Sequence, residues 1–366
     1  MYNNELFIKF CKDRNIKEST KQGYVSTLLR YTNLHNCTIE ELIKEAEIDE
    51  KNRIPLKERR LKERLLTYRT YLLESDLSSN TVKTYFSKLK TFYIHYEIEI
   101  PYLPDVKYNK QYVTNYLDLP TKQHIRDALD LSPLPIKALI LFMSSSGTAK
   151  AETLSLTVED FIKASQEYYK STRLTNILEE LSEIDDIVPT IYLKRIKTDK
   201  YYYTFCSSEA SQYIIKYLKT RENLKLTDKL FPFNGSYVMK KFQIINDQME
   251  WGFKGNYRFF RTHTLRKFHA SNIQLVAEDI DALQGRSKNS VHETYIKTNP
   301  DKLKEIYVKN MKNVMIYNKE PKKQEIKEDI HITINVFLLD LPLFFASNMT
   351  FYKKHGNDNP LCTELL

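Results

Sequence analysis

The chain is poor in the residues that build covalent frameworks or metal sites. Its four cysteines, Cys11, Cys37, Cys206 and Cys362, are scattered over 366 residues and form no C-x-x-C pair. That usage encodes neither a zinc-ligand pattern nor a disulfide scaffold, and it fits a reducing compartment. The first stretch, MYNNELFIKFCKDR, has no continuous apolar centre of the kind a secretion signal needs. No run reaches the ~18 to 20 apolar residues required to cross a bilayer. A cytoplasmic protein with no membrane partner is the expectation. Acidic residues are missing altogether between Gly252 and Ala277, where Lys254, Arg258, Arg261, Arg266 and Lys267 stand with His263 and His269. A solvated helix surface ordinarily mixes both signs, so one-signed charge interleaved with Tyr257, Phe259 and Phe260 points to an anionic groove.

What is present suits a globular protein of two domains and a tail. Hydrophobic residues make up 42% and charged residues 28%, which argues against wholesale disorder. The net charge of +9 favours an anionic partner, nucleic acid or a membrane surface, and does not choose between them.

The pattern along the chain predicts a mainly α fold with a small antiparallel β-sheet (α+β). Residues 1–100 read as a helical bundle. From Thr20 to Tyr31, residues Tyr24, Leu28 and Tyr31 recur at i, i+4 and i+7, with Val25 and Leu29 widening that apolar face, and Thr38-Ile-Glu-Glu41 is a capping box. Amphipathic runs follow at Leu56 to Leu73 and Thr81 to Tyr96; their polar faces carry Lys57, Arg59, Arg60, Lys62, Arg64, Lys83, Lys88 and Lys90. The proline-containing stretch 101–120 reads as a linker. In residues 121–315, Pro133 precedes an apolar helix from Ile136 to Met143, and a turn at Gly147 leads into another helix. Two β-prone runs then flank the polar turn KTDK at Lys197 to Lys200, a hairpin signal. Ser290-Val-His-Glu293 is a capping box ahead of Tyr295, and Asn299-Pro300-Asp301 opens a last helix whose Leu303 and Ile306 should face the core. Residues 316–366 form a tail whose role the sequence does not define.

Three features of the second half carry chemistry. His263 and Arg266 stand three apart, which puts both on one face of a helix. Leu283-Gln-Gly285-Arg286 closes the following helical run, and Tyr295 lies nine residues past Arg286. In this order and spacing the chain resembles the tyrosine recombinases, or phage-type integrases, of the archaeal and mobile-element branch. Upstream, Ser146-Gly147-Thr-Ala149-Lys150-Ala-Glu152-Thr-Leu154-Ser-Leu156 is similar to that family's Thr-Gly-Leu-Arg-x-x-Glu-Leu-x-x-Leu box, and Lys197-Thr-Asp-Lys200 to its hairpin lysine.

The resemblance implies an N-terminal core-binding bundle that closes over double-stranded DNA and a C-terminal catalytic domain. It also implies a homo-tetramer acting on two DNA sites, with no metal, other cofactor or ATP. Tyr295 would be the nucleophile of a 3′-phosphotyrosyl intermediate. Arg266, His263 and Arg286 would surround the phosphate, and Lys197 would protonate the leaving 5′ oxygen, with Lys200 a competitor for that part. Lys200, Lys254, Arg258, Arg261 and Lys267 would contact DNA. Chemically the scheme is sound. A phenol with a pKa near ~10 is both nucleophile and leaving group, so joining needs no external energy.

Two departures qualify it. Ala149 stands where the family carries its first arginine; Lys150, one residue on, is about 100° further round a helix and would have to bend back to substitute. Arg286 replaces a histidine, keeping a donor but fixing its charge. A catalytically impaired DNA-binding relic or excision regulator therefore stands as an alternative, as does a topoisomerase of the same chemistry acting without site preference.

Overall fold

The computed structural model describes residues 1–107, 112–286 and 299–317. The protein is mainly α with small antiparallel β-sheets. Five helices build the first part: α1 (Glu5–Asp13), α2 (Glu18–His35), α3 (Ile39–Lys51), α4 (Arg60–Glu74) and α5 (Ser79–His95). The capping box is realised at α3, where Thr38 Oγ1 accepts from Glu41 N at 3.2 Å and Glu41 Oε2 accepts from Thr38 N at 2.7 Å. Phe10, Tyr31, Leu65, Tyr68, Leu89 and Phe92 are buried at the centre, and the Tyr31 and Tyr93 hydroxyls pair at 3.1 Å. Tyr24, Val25, Leu28 and Tyr31 form the buried stripe of α2 as expected, but Leu29 is exposed, because the neighbouring helices cover a narrower arc than its spacing implied.

The cationic face of the bundle is largely structural. Arg64 grips Glu45 with Nε and Nη2 at 2.5 and 2.7 Å, Arg60 donates to the buried Asp49, and Arg59 reaches Glu50 at 2.6 Å. These arginines fasten α4 to α3. Lys88 and Lys90 lie over the rings of Tyr24 and Phe86.

The second part is organised around α7 (Leu134–Ser146), which follows α6 (Lys122–Asp130) and is buried from Ala138 to Ser146. Short helices α8 (Lys150–Ser155), α9 (Val158–Ala164) and α10 (Leu174–Ser182) lead to strands β1 (Thr190–Arg195) and β2 (Lys200–Phe205), paired in register from Thr190 opposite Phe205 to Arg195 opposite Lys200. The turn thus falls on Ile196 to Asp199, one residue earlier than the expected Lys197 to Lys200, because Lys200 pairs with Arg195 in the ladder; Asp199 takes φ +56°. Beyond them lie α11 (Ser208–Lys219), α12 (Gly235–Gln248) and a ribbon of β3 (Phe253–Lys254) and β4 (Tyr257–Arg258) that the sequence did not announce. Then come α13 (Thr262–Asn272), α14 (Ala277–Leu283) and α15 (Pro300–Asn310).

On α15 the core-facing residues are Leu303 and Tyr307, while Ile306 is only half-buried; the expected Ile306 gives way to the fully buried tyrosine one position on. Packing extends to Tyr317. Ile316 is buried, Arg126 donates to its carbonyl at 3.1 Å, and Glu209 accepts from Ile316 N and Tyr317 N at 2.9 and 3.0 Å. Tyr295 and residues 318–366 lie outside the described residues. Among the described residues no helix is long and apolar enough to cross a membrane.

A candidate phosphate-binding cleft

The site grows from the end of α7. A helix leaves its last carbonyls without intrahelical partners, and here three carbonyls at its end find one from a distant element. Ser145 O accepts from Tyr307 OH at 2.9 Å, Ser146 O from Thr204 Oγ1 at 2.9 Å, and Gly147 O from Arg266 Nη1 at 2.7 Å. Gly147 itself ends the helix at φ +66°, the left-handed cap that glycine adopts without strain.

Arg266 is buried on α13 and spans two segments, since its Nη2 donates to Gln284 O at 2.7 Å after α14. Glu152 of α8 lies 3.9 Å from Nη1. That carboxylate accepts from Ala149 N at 2.9 Å and from Tyr202 OH at 3.1 Å. Burial, reinforced by Glu152, pushes the Tyr202 hydroxyl far above its ordinary range, so it stays a donor. The Tyr202 ring in turn covers Gly285, where a Cβ would sit 2.5 Å from Cδ1 and φ is +58°. Only glycine fits the Leu-Gln-Gly-Arg turn for that reason. From the hairpin comes Arg195, whose Nη1 donates to Gly285 O at 2.5 Å and Gln284 O at 3.3 Å, with Nε 4.0 Å from Glu152.

Behind Arg266, Gln284 Nε2 donates to Arg266 O at 3.1 Å and to His269 Nδ1 at 3.0 Å. Nδ1 is therefore the acceptor and Nε2 carries the proton, with no described partner. Burial, then Arg266 and Arg286, holds the His269 pKa down at about 3, far below the ~6.5 of an unfolded chain. The contribution of neutral His269 to stability is complete above pH ~6.5 and is lost as pH falls from there towards 3, at up to about 1.4 kcal/mol per pH unit. His35, His124 and His263 are depressed too and add to the same trend. Denaturant titrations at pH 7, 6 and 5 should show a shallower pH slope for His269→Asn than for the parent; equal slopes would place the proton uptake elsewhere.

His263, one turn before Arg266 on α13, opens into a cleft of about 510 Å³. Lys254, Arg261 and Lys267 line it on one wall, and Leu77 to Asn80, at the start of α5, on another. Although the residue is exposed to the cleft, its crowded ring loses hydration; that, with Arg261, Lys267, Arg266 and Arg286, lowers its pKa, so it is neutral near pH 7. Arg261 lies over the Tyr257 ring at 4.3 Å, and its Nε is buried with no described partner. Fixed guanidinium donors beside a neutral imidazole can hold an anion with several oxygens and exchange a proton with it. Among the described residues no group of three or more His, Cys, Asp or Glu could hold a metal ion.

The expected site residues thus divide. Arg266 and His263 share α13, where the arginine's charge acts on the imidazole, and Arg286 acts on both while lying 3.4 Å from Asp281. Lys254, Arg261 and Lys267 meet in the cleft, Lys254 also standing 3.6 Å from Asp118. Arg258 is engaged bidentately by Asp247 at 2.8 and 3.0 Å. Lys150 donates to Gly235 O at 3.2 Å, directed at the start of α12 and away from the Arg266 carbonyl cradle, so its bend back does not occur. Lys197 is exposed in the hairpin turn, next to Ile196 and Asp199, to which Lys17 of the bundle donates; Lys200 opens β2 opposite Arg195. Arg195 was missed. Its signal was alternation: Ile191, Leu193 and Arg195 share the inward face of β1, and a charged residue there needs a purpose.

No known family description matches the sequence, and no curated protein does. Among solved structures the chain is similar to a lambda integrase tetramer bound to a Holliday junction, at 12% identity over 80% of this chain and 78% of that one, with a TM-score of 0.49. It is also similar to a lambda integrase bound to DNA, at 12% identity, 80% and 98% coverage and a TM-score of 0.47. A third is the XerA recombinase, at 13% identity, 83% and 96% coverage and a TM-score of 0.33.

Proposed function

We propose that this chain is a site-specific DNA recombinase that cleaves and rejoins double-stranded DNA through a phosphotyrosyl link at Tyr295. The observation that carries the reading is the buried Arg266, held by two carbonyls at 2.7 Å beside a neutral His263 at the mouth of a basic cleft. A guanidinium so fixed does not reorganise as charge builds on a phosphate, which is where electrostatic stabilisation is most effective. The ordered motifs ending in Tyr295 support the same reading. In the step proposed, the phenolic oxygen bonds to phosphorus and passes its proton to the neutral His263, the bond from phosphorus to the 5′ oxygen breaks, and that oxygen leaves as a hydroxyl. Lys197 supplies the leaving proton, and the reverse attack by a 5′ hydroxyl reseals the strand. The bundle of residues 1–100 closes over the duplex as a core-binding domain, with residues 121–315 as the catalytic domain, and four copies act on two sites.

The test is covalent trapping on a pool of nicked random-sequence duplexes, with adducts resolved under denaturing conditions. The parent is expected to accumulate a protein–DNA adduct and Tyr295→Phe none. Equal trapping by both would remove Tyr295 from the reaction. A second reading, DNA binding without strand cleavage, is favoured by Ala149, whose methyl group offers no donor. It predicts salt-sensitive duplex binding and no adduct by the parent.

A further inference from the structure

We infer that Arg195, from the strand that enters the hairpin turn, is a second guanidinium on the scissile phosphate, acting beside Arg266 where Ala149 leaves no side-chain cation. The inference rests on the strand-cleavage reading above and adds to it a catalytic residue that its sequence motifs do not contain.

Two guanidinium groups converge at one point. Gln284 O accepts from Arg266 Nη2 at 2.7 Å and from Arg195 Nη1 at 3.3 Å. The same two side chains flank a single carboxylate, Glu152, at 3.9 and 4.0 Å, neither at hydrogen-bonding distance. Glu152 already accepts from Ala149 N and Tyr202 OH. One carboxylate thus faces two cations in a poorly hydrated place, and the local charge is positive. Like charges held this close repel one another unless an anion lies between them, and an oxyanion accepting from both forks is the best complement. The interaction with Arg195 is one of the effects that lower the Arg266 pKa.

A purely structural Arg195 would spend its donors on the 284–285 turn. It does not spend them all. Nη1 serves the two carbonyls, but Nε is buried with no described partner, and 19% of the side chain stays open to solvent. The approach direction also fits. Residue 149 touches Glu152 through its amide, and Arg195 reaches that carboxylate from β1, so the hairpin delivers charge to the neighbourhood that an arginine at 149 would occupy. Lys150, tied to Gly235 O, does not.

The experiment uses the full chain and the duplex sequence recovered from the parent's adducts, resynthesised with either an ordinary phosphate or a methylphosphonate at the cleaved position. Replacing a non-bridging oxygen by methyl removes the negative charge that Arg195 is proposed to bind. Arg195→Ala should slow adduct formation on the phosphate duplex by roughly a hundred- to a thousand-fold, the loss typical of one oxyanion donor. It should recover most of that loss on the methylphosphonate duplex. Arg195→Lys keeps charge and fold and should fall between, and Ala149→Arg should rescue Arg195→Ala while changing the parent little. Equal impairment on both duplexes, or no impairment, would reduce Arg195 to a strut or a bystander and leave the cleavage reading intact. A parent that forms no adduct overturns the cleavage reading, and the role of Arg195 falls with it.

Discussion

Arg266→Ala is expected to lose strand cleavage by at least roughly a hundred- to a thousand-fold, the span for removing one fixed donor at developing charge. It should lose stability as well. The guanidinium ties the α7 end to the α14 turn through Gly147 O and Gln284 O, and it offsets the buried Glu152. Deleting one partner of a buried charged pair costs about 3 to 5 kcal/mol, because the other charge is left uncompensated. With an unfolding entropy of about 2.1 cal/mol/K per residue over more than about 300 residues, each kcal/mol is worth roughly 1.5 °C, and the midpoint of thermal unfolding should fall by about 4 to 8 °C. Arg266→Lys keeps the charge but loses the two-pronged reach, so it should recover part of the stability and little of the rate. An Arg266→Ala chain that melts with the parent would mean that water replaces the guanidinium, and the rigidity ascribed to this site would be wrong.

Gly147→Ala should be nearly as damaging without touching a charged group. The residue sits at φ +66°, where a Cβ costs roughly 1 to 2 kcal/mol. That Cβ would also lie 2.5 Å from His269 Nδ1 and 2.8 Å from Gln284 Nε2, the pair hydrogen-bonded behind Arg266. Forcing atoms into a packed interior adds about 1 to 3 kcal/mol. The methyl group would displace the Gly147 carbonyl that Arg266 grips, so cleavage should fall together with stability. Gly252, also at positive φ but with open space around its Cβ position, provides the control. Gly252→Ala should carry only the backbone penalty and leave cleavage near the parent level. Denaturant midpoints for the two variants decide the matter; equal midpoints would show that the His269 contact relaxes freely.

Much of the fold is legible in local sequence, because its causes are local. Thr38 and Glu41 lie within one helical turn of each other, Pro300 follows its cap Asn299, and the KTDK turn joins two β-prone runs, so each element's limits follow from neighbours a few residues away. The same holds for the site's core. His263 and Arg266 needed only helical spacing to share a face.

What local pattern could not reach was decided across the chain. Leu29 continues an apolar stripe, yet among the described residues it is left exposed. Arg59, Arg60 and Arg64 resemble a phosphate-binding face until α3 packs against them and supplies Glu50, Asp49 and Glu45. Lys150 has the charge to stand in for an arginine, but the start of α12 captures it. Arg195 lacks any local motif, and its importance comes from carbonyls 89 and 90 residues away. The physical reason is common to all four. Spacing along a chain determines which side chains share a face, whereas their partners are set by which other segment packs opposite. At this site the partners decide whether a cation is neutralised or left free to meet a phosphate.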